Sequence, residues 1–255
     1  MHGLDSGDTP QDHLLFKLWC AVQDNDLKTV EECLKNGVGH DAENGKSLDL
    51  IQTACDMENK ELLKLLIKYN INLQKKYIDD TPYGMIHPLK IAAVKYNAEM
   101  LNMLFEAGYK LESATPSMNY NINRFIMYTL RNMFSNFRIA TLQISPGQLP
   151  ITQLEEKLVD TLKVIVKNTP ERSVARRYIV NCCFSNYMLN WNPGQKSGVK
   201  VTEYLLSIDP NYRVPEHYIS RARGKIRELL EAHNRKLPDA SNRKTSTPRR
   251  RSGKR

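Results

Sequence analysis

The chain has no unbroken apolar stretch near the ~20 residues that a membrane-crossing helix needs, so none of its helices is expected to span a bilayer. Cysteine is scarce. The five residues Cys20, Cys33, Cys55, Cys182 and Cys183 are odd in number and scattered within apolar stretches, unlike a disulfide framework. They suit buried thiols in a reducing compartment. Cys182 and Cys183 are adjacent, and neighbouring cysteines rarely bond each other, so packing is favoured over redox chemistry. No CxxC or Cys/His ligand spacing occurs, which argues against a metal site. Absent too are the phosphate-cradling loops G-x-x-x-x-G-K-S/T and G-x-G-x-x-G, the nucleophile elbow G-x-S-x-G and the zinc motif H-E-x-x-H. Neither an enzyme nor a cofactor is expected. Residues 1–12 are polar and acidic, without the basic start and apolar centre of a secretory signal. They read as a disordered N-terminus.

What is present is charge, unevenly placed. The formal net charge is +9 over 255 residues. From Asn234 to Arg255 there are nine Lys/Arg and one acid, Asp239, so this stretch carries +8 and the rest of the chain +1. Residues 237–255 are rich in Pro, Ser, Thr and charge, with one Leu and no aromatic, too little apolar surface to fold alone.

The chain also repeats itself, the feature to seek before any other. Ala21–Gly37 (AVQDNDLKTVEECLKNG) shifted by 33 meets Ala54–Asn70 (ACDMENKELLKLLIKYN), and shifted a further 38 meets Ala92–Gly108 (AAVKYNAEMLNMLFEAG). Each copy opens on alanine. Each carries an apolar trio, Val30/Cys33/Leu34, Leu63/Leu66/Ile67 and Leu101/Leu104/Phe105, at helical spacing. Each ends on Gly or Asn, which tolerate the left-handed turn after a helix. This reads as helix pairs in which small residues on the first helix admit the second. Such a pair has too little core to stand alone and must stack on its neighbours.

On these residues the segment 13–115 resembles the ankyrin repeat family. His87-Pro88-Leu89-Lys90-Ile91-Ala92-Ala93 is similar to the family's T-P-L-H-x-A-A. Glu99-Met100-Leu101 and Leu104-Phe105-Glu106-Ala107-Gly108 are similar to E-I-V-x-L-L-L-x-x-G. Pro88 suits the first helical position, where a missing N–H costs nothing. Three departures stand out. His87 replaces the usual Thr and Lys90 the usual His, the residues that supply the family's turn-to-helix hydrogen bonds. Tyr96 stands where an inter-helix Gly is usual. Gln74–Ile86 is longer than a standard connection. A second likeness, of layout alone, is to the cytoplasmic N-terminal region of transient receptor potential channels of the C subfamily.

Beyond the repeats, residues 116–236 read as an irregular helical region, possible degenerate repeats among them. Asn121–Leu142 is an amphipathic helix on which Arg124, Arg131 and Arg138 recur every seven residues and share a face. That face reads either as solvated or as a surface for an acidic or phosphate-bearing partner. Helices are expected over 152–168, from Pro170 to about Leu189, over Val199–Ile208 and over Pro215–Lys236. Trp191 lies in a turn, as a binding anchor or as a cap on a core edge. KIRELLEAHN (225–234) resembles the outer helix of an ankyrin unit.

The expectation is thus an all-α ankyrin-type helical solenoid with irregular C-terminal helices and a disordered basic tail. The resemblance implies non-catalytic protein–protein recognition by an adaptor or scaffold, while the thiols and the basic tail point to the cytoplasm or nucleus. The resemblance also implies contacts through the connecting fingers and concave helix face: Asn44, Lys46, Asp79, Asp80, Tyr83 and Lys90. Asp79 and Asp80 could hold a metal, but capping a turn is the simpler reading. Arg235-Lys236 and Arg249-Arg250-Arg251 are spaced like a bipartite nuclear localisation signal read by an import receptor. Phosphorylation at Thr247-Pro248 would oppose it. The alternative is a nucleic-acid- or chromatin-associated factor acting non-specifically through the tail.

Overall fold

The computed structural model describes residues 10–38, 50–71, 87–110, 119–142, 150–169, 173–190 and 198–238. These residues form α1 (Pro10–Gln23), α2 (Leu27–Lys35), α3 (Leu50–Asp56), α4 (Lys60–Lys68), α5 (Pro88–Val94) and α6 (Ala98–Glu106). They continue as α7 (Asn119–Leu142), α8 (Ile151–Lys167), α9 (Ser173–Asn190), α10 (Val199–Ile208), α11 (Glu216–Ile219) and α12 (Gly224–Lys236), with no strand among the described residues.

The repeat is written into the backbone. Asp26, Asn59 and Asn97 occupy equivalent places, and each side chain accepts an N–H in the first turn of α2, α4 or α6, at 3.1, 3.0 and 3.1 Å. One residue earlier stand Asn25, Glu58 and Tyr96, all left-handed, with φ of 56, 52 and 55°. Gly37, Asn70 and Gly108 repeat the conformation after the second helix of each pair. The amide of the next residue (Val38, Ile71, Tyr109) closes each turn on a carbonyl of that helix (Cys33, Leu66, Leu104). These turns reverse the chain within a few residues, so the two helices of a pair lie against each other.

Packing arranges the helices in two layers. α3 packs on α5, α5 on α7 and α7 on α9, giving an odd layer. α2, α4, α6, α8, α10 and α12 follow one another in an even layer. The small residues Ala21, Ala54, Ala92 and Ala93 are buried between the layers, with Val30, Leu34, Leu63, Leu66, Leu101 and Leu104 opposite them. The stack therefore runs on through the described helices α7–α10 and α12, as α7 and α8 stack on the third unit in the places of a further pair.

Several sequence expectations shift. α1 begins at Pro10, inside the segment read as a disordered N-terminus. The helix expected over Pro215–Lys236 is two, because Ser220–Arg223 leave the helical path between Ile219 and Gly224. α7 starts at Asn119, α8 at Ile151 and α9 at Ser173, each within a few residues of expectation, and Val199–Ile208 agrees.

Two ties hold the later helices. The Tyr96 hydroxyl donates to the Met133 carbonyl at 2.5 Å, joining the third pair to α7. Buried Glu155 of α8 accepts the Val201 N–H at 3.1 Å. It thereby caps α10, whose own N-cap residue, Gly198, has no side chain to do so. At the C-terminal end Phe184 stacks between Tyr212 and Tyr218, with ring centroids 5.6 and 6.4 Å away. Asn234 pairs with both backbone groups of Val214 at 2.9 and 2.8 Å, fixing α12 to the preceding loop.

Candidate protein-binding face

The two layers present different surfaces. The even layer uses much of its charge on itself. Glu31 of α2 meets Lys68 of α4 at 2.9 Å and the Tyr69 hydroxyl at 3.0 Å. The Lys68 ammonium, then that hydroxyl, hold the Glu31 carboxyl below its ordinary range. Lys60 pairs with Glu99 and lowers that carboxyl in the same way. Glu156 pairs with Lys200 and raises the ammonium. Asn59 donates to Asn25 at 2.5 Å, linking successive turns. Exposed pairs of this kind contribute little stability each, but they occupy several of that surface's charges with one another.

The outward face of the odd layer, with the equivalent positions of α1, is varied. Its partly or fully exposed positions are Trp19, Cys20 and Gln23 on α1, Gln52, Thr53 and Asp56 on α3, and Lys90, Ile91 and Val94 on α5. These are equivalent places in the three units. The buried positions repeat the same residue types, whereas these change from unit to unit. Phe16, 68% exposed, extends the α1 row by one turn. Lys95 binds the Asp56 carbonyl at 2.5 Å and its carboxylate at 3.2 Å, clamping α5 to the end of α3.

His87 shows how this chain replaces the family's usual cap. Its Nδ1 accepts the Leu89 N–H at 3.2 Å, ahead of Pro88 at the start of α5. Its ring meets Tyr109 edge-on at 6.1 Å. Burial lowers the imidazole from 6.5 to about 4, so the ring is neutral and its nitrogen is free to accept.

Of the contact residues expected from the sequence, Lys90 is described and lies half-buried on the odd-layer face. Asn44, Lys46, Asp79, Asp80 and Tyr83 lie outside the described residues, as do Trp191 and Arg249, Arg250 and Arg251. Arg235 and Lys236 are exposed in the last turn of α12, where positive charge complements the helix dipole. Residues that the sequence reading passed over include Trp19, Gln52, Thr53 and Ile91. Their signal was available: they occupy the non-repeating positions of the aligned units. Cys183 is fully buried and its thiol is pushed well above its ordinary range, which favours packing over reactivity. Among the described residues no cluster of three or more His, Cys, Asp or Glu could hold a metal ion, and no helix is long and apolar enough to cross a membrane.

Residues 18–115 match the family model of ankyrin repeats (3 copies). No curated protein and no solved structure matches the chain. That segment consists of divergent ankyrin repeats, in an all-α repeat fold. The match does not reach the channel likeness, which rests on layout alone. Ankyrin repeats indicate a protein–protein interaction module, and such domains are generally non-catalytic.

Proposed function

We propose that this protein is a non-catalytic adaptor whose odd-layer face, with the connecting fingers, grips a protein partner, and that its basic clusters deliver it to the nucleus. One observation carries the first part. Across three equivalent units the buried positions are constrained while the exposed odd-layer positions differ, from Trp19 to Gln52 to Lys90 and from Cys20 to Thr53 to Ile91. Packing explains the first set and leaves the second to recognition. Support for import is the +8 charge of the last 22 residues, with Arg235 and Lys236 exposed.

The test is an affinity capture comparing the full chain, the chain ending at Lys236, and the full chain carrying Thr53→Arg with Ile91→Arg or Asp79→Arg with Asp80→Arg. Circular dichroism would verify that each is folded. A discrete protein kept by the truncation and lost with the face or finger changes is the expected result. Retention in both substituted chains would refute it. Import is tested by imaging full-length protein with Arg249, Arg250 and Arg251 changed to Ala, which should leave it cytoplasmic. The tail's charge also favours a second reading, non-specific nucleic-acid binding. That activity would vanish with the tail and fall steeply with salt.

A further inference from the structure

Beyond the second unit, charge is sorted between the layers. The even helices α8, α10 and α12 mix acids with bases. The odd helices α5, α7 and α9 contain no Asp or Glu along their whole length, yet carry Lys90, Arg124, Arg131, Arg138, Arg176 and Arg177. On α7 the side chains of Leu130, Met133, Phe134 and Phe137 are buried. Arg131 and Arg138 are exposed on the opposite side, with Ser135 partly exposed between them, Tyr128 partly exposed one turn before Arg131 and Ile139 50% exposed next to Arg138. Positions 128, 131, 135, 138 and 139 fall on one helical stripe. Arg177 of α9 is exposed too. It meets Asp209 at 3.3 Å, with 65% of its side chain still in solvent.

We propose that the odd-layer face over α7 and α9 binds an acidic segment of a partner protein, with two carboxylates on Arg131 and Arg138 and an apolar side chain over Ile139. This rests on the adaptor reading and names the partner's chemistry. The two arginines are separated by seven residues, about 10.5 Å along the helix. That spacing suits carboxylates seven apart on a partner helix, or about three apart on an extended strand. An exposed apolar side chain next to the arginines favours a peptide, whose side chains alternate in character, over a uniform polyanion. The charge of the chain outside Asn234–Arg255 is only +1, and the even layer is studded with carboxylates, so the folded body is a poor surface for nucleic acid.

The test is fluorescence anisotropy on the full chain with a labelled peptide rich in Glu and Leu, its Gln-for-Glu counterpart, and a labelled oligonucleotide. The tail would also attract anions, so every titration is repeated with Arg249, Arg250 and Arg251 changed to Gln. The acidic peptide should bind in both backgrounds, with affinity falling as salt rises. Binding should weaken roughly tenfold with Arg131→Glu and Arg138→Glu together, and partly recover with Lys at both positions. Equal affinity for the Gln peptide would overturn the proposal. So would loss of binding with the tail substitutions alone, or a preference for the oligonucleotide that survives them. A partner retained after the α7 charge reversal but lost with Thr53→Arg and Ile91→Arg would overturn the acidic-segment proposal and leave the adaptor reading standing.

Discussion

Tyr96 occupies a position that ankyrin repeats usually give to glycine, and its side chain is the joint between the third repeat and the helices beyond it. Its backbone is left-handed at φ 55°, a conformation that costs an L-residue about 1–2 kcal/mol. Two other units hold Asn25 and Glu58 in the same conformation, and both of these are exposed. Tyr96 is buried, and its hydroxyl reaches Met133 at 2.5 Å. Removing the hydroxyl as Tyr96→Phe should cost about 1 kcal/mol, the net worth of one hydrogen bond. Met133 lies mid-helix, so its carbonyl keeps a ladder partner. Tyr96→Ala removes a buried ring and should cost about 3–5 kcal/mol. Tyr96→Gly recovers the strain but loses the ring and adds glycine's entropy, for a net cost of about 2–4 kcal/mol. Glu58→Gly relieves the same strain with no packing to lose, and should stabilise by up to about 1 kcal/mol after glycine's own entropy is charged. Urea unfolding followed by far-ultraviolet circular dichroism reads all four. Because each unit touches only its neighbours, Tyr96→Ala should also separate the transition of residues 10–110 from that of 119–238. A wild-type midpoint for Tyr96→Phe, or Tyr96→Gly behaving like Glu58→Gly, would refute the argument.

Acid should weaken the third repeat through His87. Its folded value is near 4 against an ordinary 6.5, so between these pH values the unfolded chain takes up a proton that the folded chain refuses. Its contribution is present above pH 6.5 and is lost as pH falls towards 4, up to about 3 kcal/mol. His87→Thr keeps a cap acceptor and should flatten that dependence in denaturant titrations run across the window. Glu155→Ala strips α10 of its cap and leaves a cavity, and should lower stability by about 2–3 kcal/mol. Glu155→Gln, which keeps an acceptor, should cost less than half as much by thermal unfolding. Asn97→Ala should cost about 1 kcal/mol as a lost N-cap, with Asn59→Ala somewhat more because it also breaks the link to Asn25.

Sequence alone determined the repeat, the helix pairs and the turns that end them, because these follow from local chemistry. An alanine admits a neighbouring helix, and Gly37, Asn70 and Gly108 accept a left-handed backbone. It also showed the arginine periodicity of α7 and the charged tail. It did not reveal that α7 and α8 continue the two layers, because their apolar stripes are consistent with any helical packing. The role of Tyr96 depends on where Met133 arrives 37 residues later, and Glu155 looks like one more surface acid until Val201 comes to rest beside it. His87 reads as a lost threonine, and only its burial next to Leu89 makes it a neutral acceptor. The division of charge between layers has the same origin. The acids and bases were visible in the chain, but which of them share a face is decided by stacking, since each helix has several sides and tertiary contact selects the one left open.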